Sequence, residues 1–354
     1  MSNRRRALWS APVLTIAAVT AIAAWPGSAS ANPHPNLPAR TPAQLLADVE
    51  HSSVEHFSGT VVETARFGLP SLPGADSAAL SWQTLVTGSH TIRVWVDGGS
   101  KQRIALLAQL SESDVIHNGR DLWTFASDSQ TVGHTTLPAE QRTTARKEIA
   151  RSTPVGVADE ALKAIDPSTK VTVDLTQRVA GRAAYTLVLT PRDTRSTVSK
   201  VAIAIDAQRK LPLRVQVFGS ASQPAFEIGF SDISFSQPSA STFAFTAPKG
   251  ATVSKDLFPL LSRHEMRTTP NTTTPETTTS SPDVKTVGDG WTSVLVVKGA
   301  GAGMLGGGEI GKLFTTQPDG SRLLQTALLN VLVEPDGTMA IGAVQPDLLR
   351  AAVG

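Results

Sequence analysis

The chain contains no cysteine. That excludes disulfides, a thiolate metal site, a cysteine nucleophile and the lipid-bearing N-terminal cysteine of a lipoprotein. Aromatic residues are scarce, 5% of the total with a single tyrosine, so each tryptophan has to be accounted for. Charge of one sign is also missing. Lys and Arg number 32 against 30 Asp and Glu, a net +2, which gives no electrostatic case for nucleic acid or an anionic membrane surface. No Gly-x-Ser-x-Gly elbow is present, so serine-hydrolase chemistry of that type has no motif to rest on.

What is present begins with an export signal. Arg4-Arg5-Arg6, an apolar stretch from Ala11 to Ala24 and small residues Ala29-Ser30-Ala31 stand in the order of a cleaved signal peptide. The apolar part is about 14 residues, short of the roughly 20 a spanning helix needs. Ala7 and Trp9 depart from a twin-arginine pattern, so general secretion is expected, with cleavage after Ala31 and an extracytoplasmic product. Losing three arginines takes +2 to −1, so the sequence pI near 9.0 overstates how basic the mature protein is.

A Pro-rich lead-in occupies 32–40. Thr41-Pro42-Ala43-Gln44 then reads as a helix start, with Thr41 the N-cap, Pro42 in the first turn and Gln44 completing a capping box. The spacing predicts one helix from Pro42 to His56. Gly59 to Phe67 reads as a first strand. From Arg93 to Val132 apolar and polar residues alternate in short runs broken at Gly98-Gly99, Glu112 to Asp114, Asn118-Gly119 and Asp128 to Gln130. That is the pattern of consecutive antiparallel strands. Thr153-Pro154 starts a second helix ending near Ile165. Strands follow over 170–178, 183–190, 197–206, 211–218, 225–235 and 243–246, the second opened by the turn Val179-Ala180-Gly181-Arg182. Few helices among so many strands predict an α+β domain whose antiparallel sheet curls. The Thr/Pro/Ser tract in 254–282 is a linker. Residues 283–354 form a small, mostly β module with strands over 291–297, 323–333 and 338–344 and a terminal helix from Pro346 to Ala352.

The chemical motifs are weak. Gly301-Ala302-Gly303-Met304-Leu305-Gly306 and the overlapping Gly306 to Lys312 imitate nucleotide-binding loops. However, Leu313 stands where a P-loop needs Ser or Thr, and too little chain follows to build a nucleotide-binding sheet. The loop 299–311 is read as a flexible glycine loop without nucleotide. His51 and His56 lie five apart, about 140° around a helix, and cannot share a metal from one face. Glu112 and Asp114 share one face of a strand, as an acid/base pair would. Lacking a companion, they are expected on an exposed strand or turn. No catalytic residue, metal or cofactor is assigned. For the aromatics Trp82, Trp95, Trp123, Phe125 and Tyr185 two readings stay open: core packing, or the lining of an apolar cavity enclosed by the curled sheet.

The capped helix at Thr41, the meander with Trp95-Val96-Asp97 and Asn118-Gly119-Arg120-Asp121-Leu122-Trp123, the segment Val179 to Pro191 and the closing Phe243-Ala244-Phe245 together resemble the LolA/LolB-like periplasmic lipoprotein carrier superfamily. The RseB/MucB sensor proteins share that domain. The resemblance covers 41–253, and the linker with Gly288 to Val294 is similar to the two-domain RseB arrangement. It implies a half-open β-barrel with helices across its mouth, holding acyl chains or a lipoprotein and doing no chemistry. The alternative role it implies is envelope-stress sensing through a membrane-anchored anti-sigma factor. Burial of each methylene is worth about 0.8 kcal/mol, so such a carrier needs apolar surface rather than reactive groups.

Overall fold

The structure, a computed structural model, describes residues 34–69, 87–108, 110–254, 284–299 and 311–354. The expectations for the signal segment, Trp82, the linker tract and residues 300–310 of the glycine loop lie outside the described residues. His34 to Gly354 make one compact unit.

Helix α1, Pro42–Glu50, starts as read: Thr41 accepts from the Gln44 amide while the Gln44 side chain accepts from the Thr41 amide. It is shorter than expected. His51 caps it and β1, His56–Arg66, has already begun where the helix was expected to end. The meander follows as β2 Thr87–Asp97, β3 Lys101–Leu107, β4 Glu112–Asn118, β5 Asp121–Ala126 and β6 Thr131–Thr136. Two residues, Gly119 and Arg120, join β4 to β5, with Gly119 at φ 64°, so the tight turn sits one residue later than the Asn-Gly pair. A helix the sequence reading lacks, α2 Ala139–Ala150, precedes α3, Pro154–Lys163, whose cap is Thr153.

The sheet resumes with β7 Thr169–Val179, β8 Arg182–Pro191, β9 Lys200–Asp206, β10 Pro212–Phe218 and β11 Phe226–Ser234. Ala180 and Gly181, at φ 49° and 73°, make the mirror-type turn that suits the strand twist. The stretch expected as a strand over 243–246 is a 3-10 turn, Ala240–Phe243, and an extended tail, with Phe243 buried. A short β12, Thr252–Ser254, closes this region.

These strands form one sheet in the order β12-β6-β5-β4-β3-β2-β1-β11-β10-β9-β8-β7. All pairs are antiparallel except β12 with β6. β12 and β7 stand at opposite edges, so the sheet is a half-open barrel with helices lying on one face. The second sheet joins β13 Val284–Val287, β14 Val294–Val297, β15 Thr315–Thr316, β16 Arg322–Gln325, β17 Asn330–Val333 and β18 Met339–Gly342, all antiparallel, with α4 Pro346–Val353 against it. The single run expected over 323–333 is two strands, because Thr326 to Leu329 turn back on themselves. The sheets meet through backbone: Ala327 donates to the Phe67 carbonyl at 2.9 Å and Thr197 to that of Ala343 at 2.9 Å. Leu328 joins the large sheet's core.

Candidate ligand-binding faces of the sheet

Residues directly paired across a strand ladder point to the same side, so the register assigns each candidate to a face. One row runs Trp95–Arg103–Ile116–Trp123–His134 across β2 to β6. The next runs Arg93–Ala105–Asp114–Phe125–Val132. Trp95, Trp123 and Phe125 therefore share one face. Arg103 lies over the Trp95 ring at 5.5 Å, Trp123 stacks on His134 at 3.8 Å, and Phe245 leans on both Trp123 and Phe125.

On this face an open groove of about 590 Å³ is lined by Arg103, Leu107, Leu110, Glu112, Phe125 and Phe245 among others. Leu110 is 99% exposed. The acid pair of the sequence reading lines the groove too, but Arg103 ties it down: its Nε donates to Asp114 at 2.8 Å and its Nη2 lies 3.6 Å from Glu112. Burial, and then the charge of Asp114, raise the Glu112 carboxyl above its ordinary range.

The opposite face is the apolar one. Val94, Ile104, Val115 and Leu122 belong to its core and are roofed by α2 through Ala145 and Ile149. Further round, α3 lies on β10 and β11. Tyr185, opposite Ile205, is on this side, and its hydroxyl donates to the Pro38 carbonyl at 2.8 Å. Of the candidate aromatics described, three thus gather on the groove face and the fourth lies on the roofed face.

Among the described residues, buried polar atoms without a hydrogen-bond partner occur on the roofed face at two places. Under α2, His117 sits opposite Gln102, and His117 Nδ1 and Gln102 Oε1 are buried without a hydrogen-bond partner among the described residues. Burial pushes the His117 imidazole below its ordinary value, against the pull of the Gly119 carbonyl that its Nε2 contacts. The second is Glu63. Its row reads His90–Glu63–Ile228–Val215–Ile203–Leu187. Glu63 is 3% exposed, neither carboxyl oxygen has a partner among the described residues, and burial raises its pKa to about 8. Glu63 is absent from the candidates drawn from the sequence, although strand parity, with Val61, Glu63 and Ala65 on one side, marks an acid on an apolar face.

The histidines read as unable to share a metal stand on separate elements. His51 caps α1 with Nδ1 2.7 Å from the Ala47 carbonyl, and His56 pairs with Asp97 from β1. No group of three or more metal-ligating side chains occurs among the described residues.

Residues 85–252 match the family model of the MucB/RseB N-terminal domain. That match takes in just under half of the chain. The match spans β2 through the first residue of β12, together with α2 and α3, and so contains the groove, the roofed face under α2 and the His117 site. Similar solved structures include a Pseudomonas aeruginosa MucA/MucB complex, 14% identical, covering 88% of this chain and 96% of that one at TM-score 0.45. A second complex of MucB with the periplasmic part of MucA is 16% identical over 87% and 95%, at 0.44. A LolA superfamily protein from Nitrosomonas europaea is 15% identical over 58% and 99%, at 0.25. No curated protein matches this chain. No helix among the described residues is long and apolar enough to cross a membrane.

Proposed function

We propose that this is an exported, periplasmic or envelope protein of the LolA/RseB type that binds acyl chains of a lipid or lipoprotein and performs no chemistry. The observation that carries the reading is the thin roof of the apolar face. Helix α2 inserts only Ala145 and Ile149 into the core, worth about 3–4 kcal/mol of apolar burial. It also covers two polar atoms without a hydrogen-bond partner among the described residues, His117 Nδ1 and Gln102 Oε1, each costing about 1–3 kcal/mol. Lifting α2 is therefore cheap, and about five methylenes laid on Ile104, Val115 and Leu122 would offset it at about 0.8 kcal/mol each. Native mass spectrometry of the purified mature protein tests this. An acylated species that co-purifies, or binds on titration, is expected; a clean unliganded mass that no acyl ligand shifts would overturn the reading.

The second reading is a stress sensor whose partner is a membrane-anchored anti-sigma factor. The groove on the other face favours it. Arg103, Glu112 and Asp114 beside Phe125, Phe245 and Leu110 suit a peptide segment with mixed side chains better than a bare hydrocarbon. A pull-down from envelope extract with wild type, Phe125→Ala and Arg103→Ala separates the readings. Recovery of an anti-sigma factor by wild type alone supports this one, and equal recovery by all three removes the groove from it.

A further inference from the structure

Glu63 is a buried acid whose carboxyl oxygens have no hydrogen-bond partner among the described residues. Its neighbours on β1 facing the same way are Val61 and Ala65, its partner on β11 is Ile228, and its partner on β2 is His90. The charged groups of nearby strands, Glu227 opposite Thr64 and Arg214 opposite Gly229, point to the other face. An unpaired polar group in such a place costs free energy that folding does not recover. The acid form, however, supplies one O–H donor beside the apolar side chains Val61, Ala65 and Ile228.

An acyl chain attached through an ester or amide needs that combination: hydrocarbon contacts along its length and one hydrogen-bond donor at its carbonyl end. From Glu63 on β1 the same face continues through Ile92, Leu106 and Ile104 to Val115 and Leu122 on β5, under α2. Four inter-strand spacings make about 19 Å. One leaflet's acyl chain reaches about 15 Å, half the hydrocarbon thickness of a bilayer. We propose that Glu63 is the polar anchor of the acyl site, its carboxylic acid donating a hydrogen bond to the ester or amide carbonyl that joins an acyl chain to its carrier. The assignment rests on the acyl-binding reading and adds to it a preference for carbonyl-linked over ether-linked chains.

The test compares binding of an ester-linked dipalmitoyl phospholipid with its dihexadecyl ether analogue, using the mature protein as wild type, Glu63→Gln and Glu63→Leu. Wild type is expected to prefer the ester about tenfold, the equivalent of about 1.4 kcal/mol, the scale of one hydrogen bond. Glu63→Gln, whose amide still donates, keeps most of the preference. Glu63→Leu binds both lipids alike, with ether affinity equal to or above that of wild type. An ester preference undiminished in Glu63→Leu, or absent from wild type, overturns the assignment and leaves acyl binding standing. Failure of wild type to bind either lipid overturns both.

Discussion

Replacing Glu63 by glutamine should change the dependence of stability on pH more than any single substitution on the groove face. The unfolded carboxyl titrates at about 4.5 and the folded one at about 8. Between those values the folded state holds a proton that the unfolded state has released, so wild-type stability falls as pH rises, by up to about 1.4 kcal/mol per unit. From pH 5 to pH 8 the loss is about 3.5 kcal/mol by the same linkage. That is a large share of the 5–15 kcal/mol typical of a folded domain. Glutamine keeps the shape and removes the titration, and every other group contributes the same background to both proteins. The difference in urea unfolding free energy between Glu63→Gln and wild type should thus grow steadily from pH 5 to 8, in favour of the variant. Parallel curves over that range would refute the reasoning, because they would mean that Glu63 already finds water or a partner in the folded state.

Three further outcomes follow from particular contacts. Asp206 is 1% exposed and bound by the Arg182 guanidinium and the amides of Gln208 and Arg209; burial pushes its carboxyl up, but these partners outweigh it and hold it below the ordinary range. Arg182→Ala should cost about 3–5 kcal/mol in chemical denaturation. The stabilisation it removes is present above the usual carboxylate range and is lost in wild type as pH falls through the depressed value. Gly156 in α3 leaves no room for a Cβ, which would lie 2.2 Å from the Ala150 carbonyl oxygen. Gly156→Ala should force α2 and α3 apart and lower stability by about 1–3 kcal/mol in a thermal melt. Ile149→Ala should destabilise by about 2–4 kcal/mol and speed uptake of a fluorescent fatty acid in stopped flow, since it loosens the roof. Slower uptake would argue against α2 as the entry point.

The legible parts of this fold are those whose causes lie close together in sequence. Thr41, Pro42 and Gln44 announce α1 because capping is a three-residue affair. Ala180-Gly181 fixes its hairpin for the same reason. Helix α2 escaped because its core face is two residues, Ala145 and Ile149, and Pro138 at its N-cap supplies no side-chain hydrogen bond. The end of α1 was misplaced because Val54 and Phe57 pack into the same core as Leu45, Leu46 and Val49 and extend the apolar spacing into a strand. Pairing of β1 with β11, or of β12 with β6, joins residues more than a hundred positions apart, and no local pattern encodes it. The candidate site divides the same way. The alternation shows that Trp123 and Phe125 share a face, but which face the helices cover depends on how the whole sheet curls. The position of Glu63 on the inward face is legible by parity alone, but the absence of a hydrogen-bond partner for it among the described residues is not.

On the proposed reading the roofed face, under α2, receives the hydrocarbon. A palmitoyl probe with a diazirine at its far end, irradiated in complex with the mature protein and mapped by peptide mass spectrometry, tests it directly. Cross-links to β3–β5 peptides at the inward positions Ile104, Val115 and Leu122, or to α2 around Ala145 and Ile149, are expected. Cross-links confined to Leu110, Phe125 and Phe245 in the groove of the other face, or none at all, would contradict it.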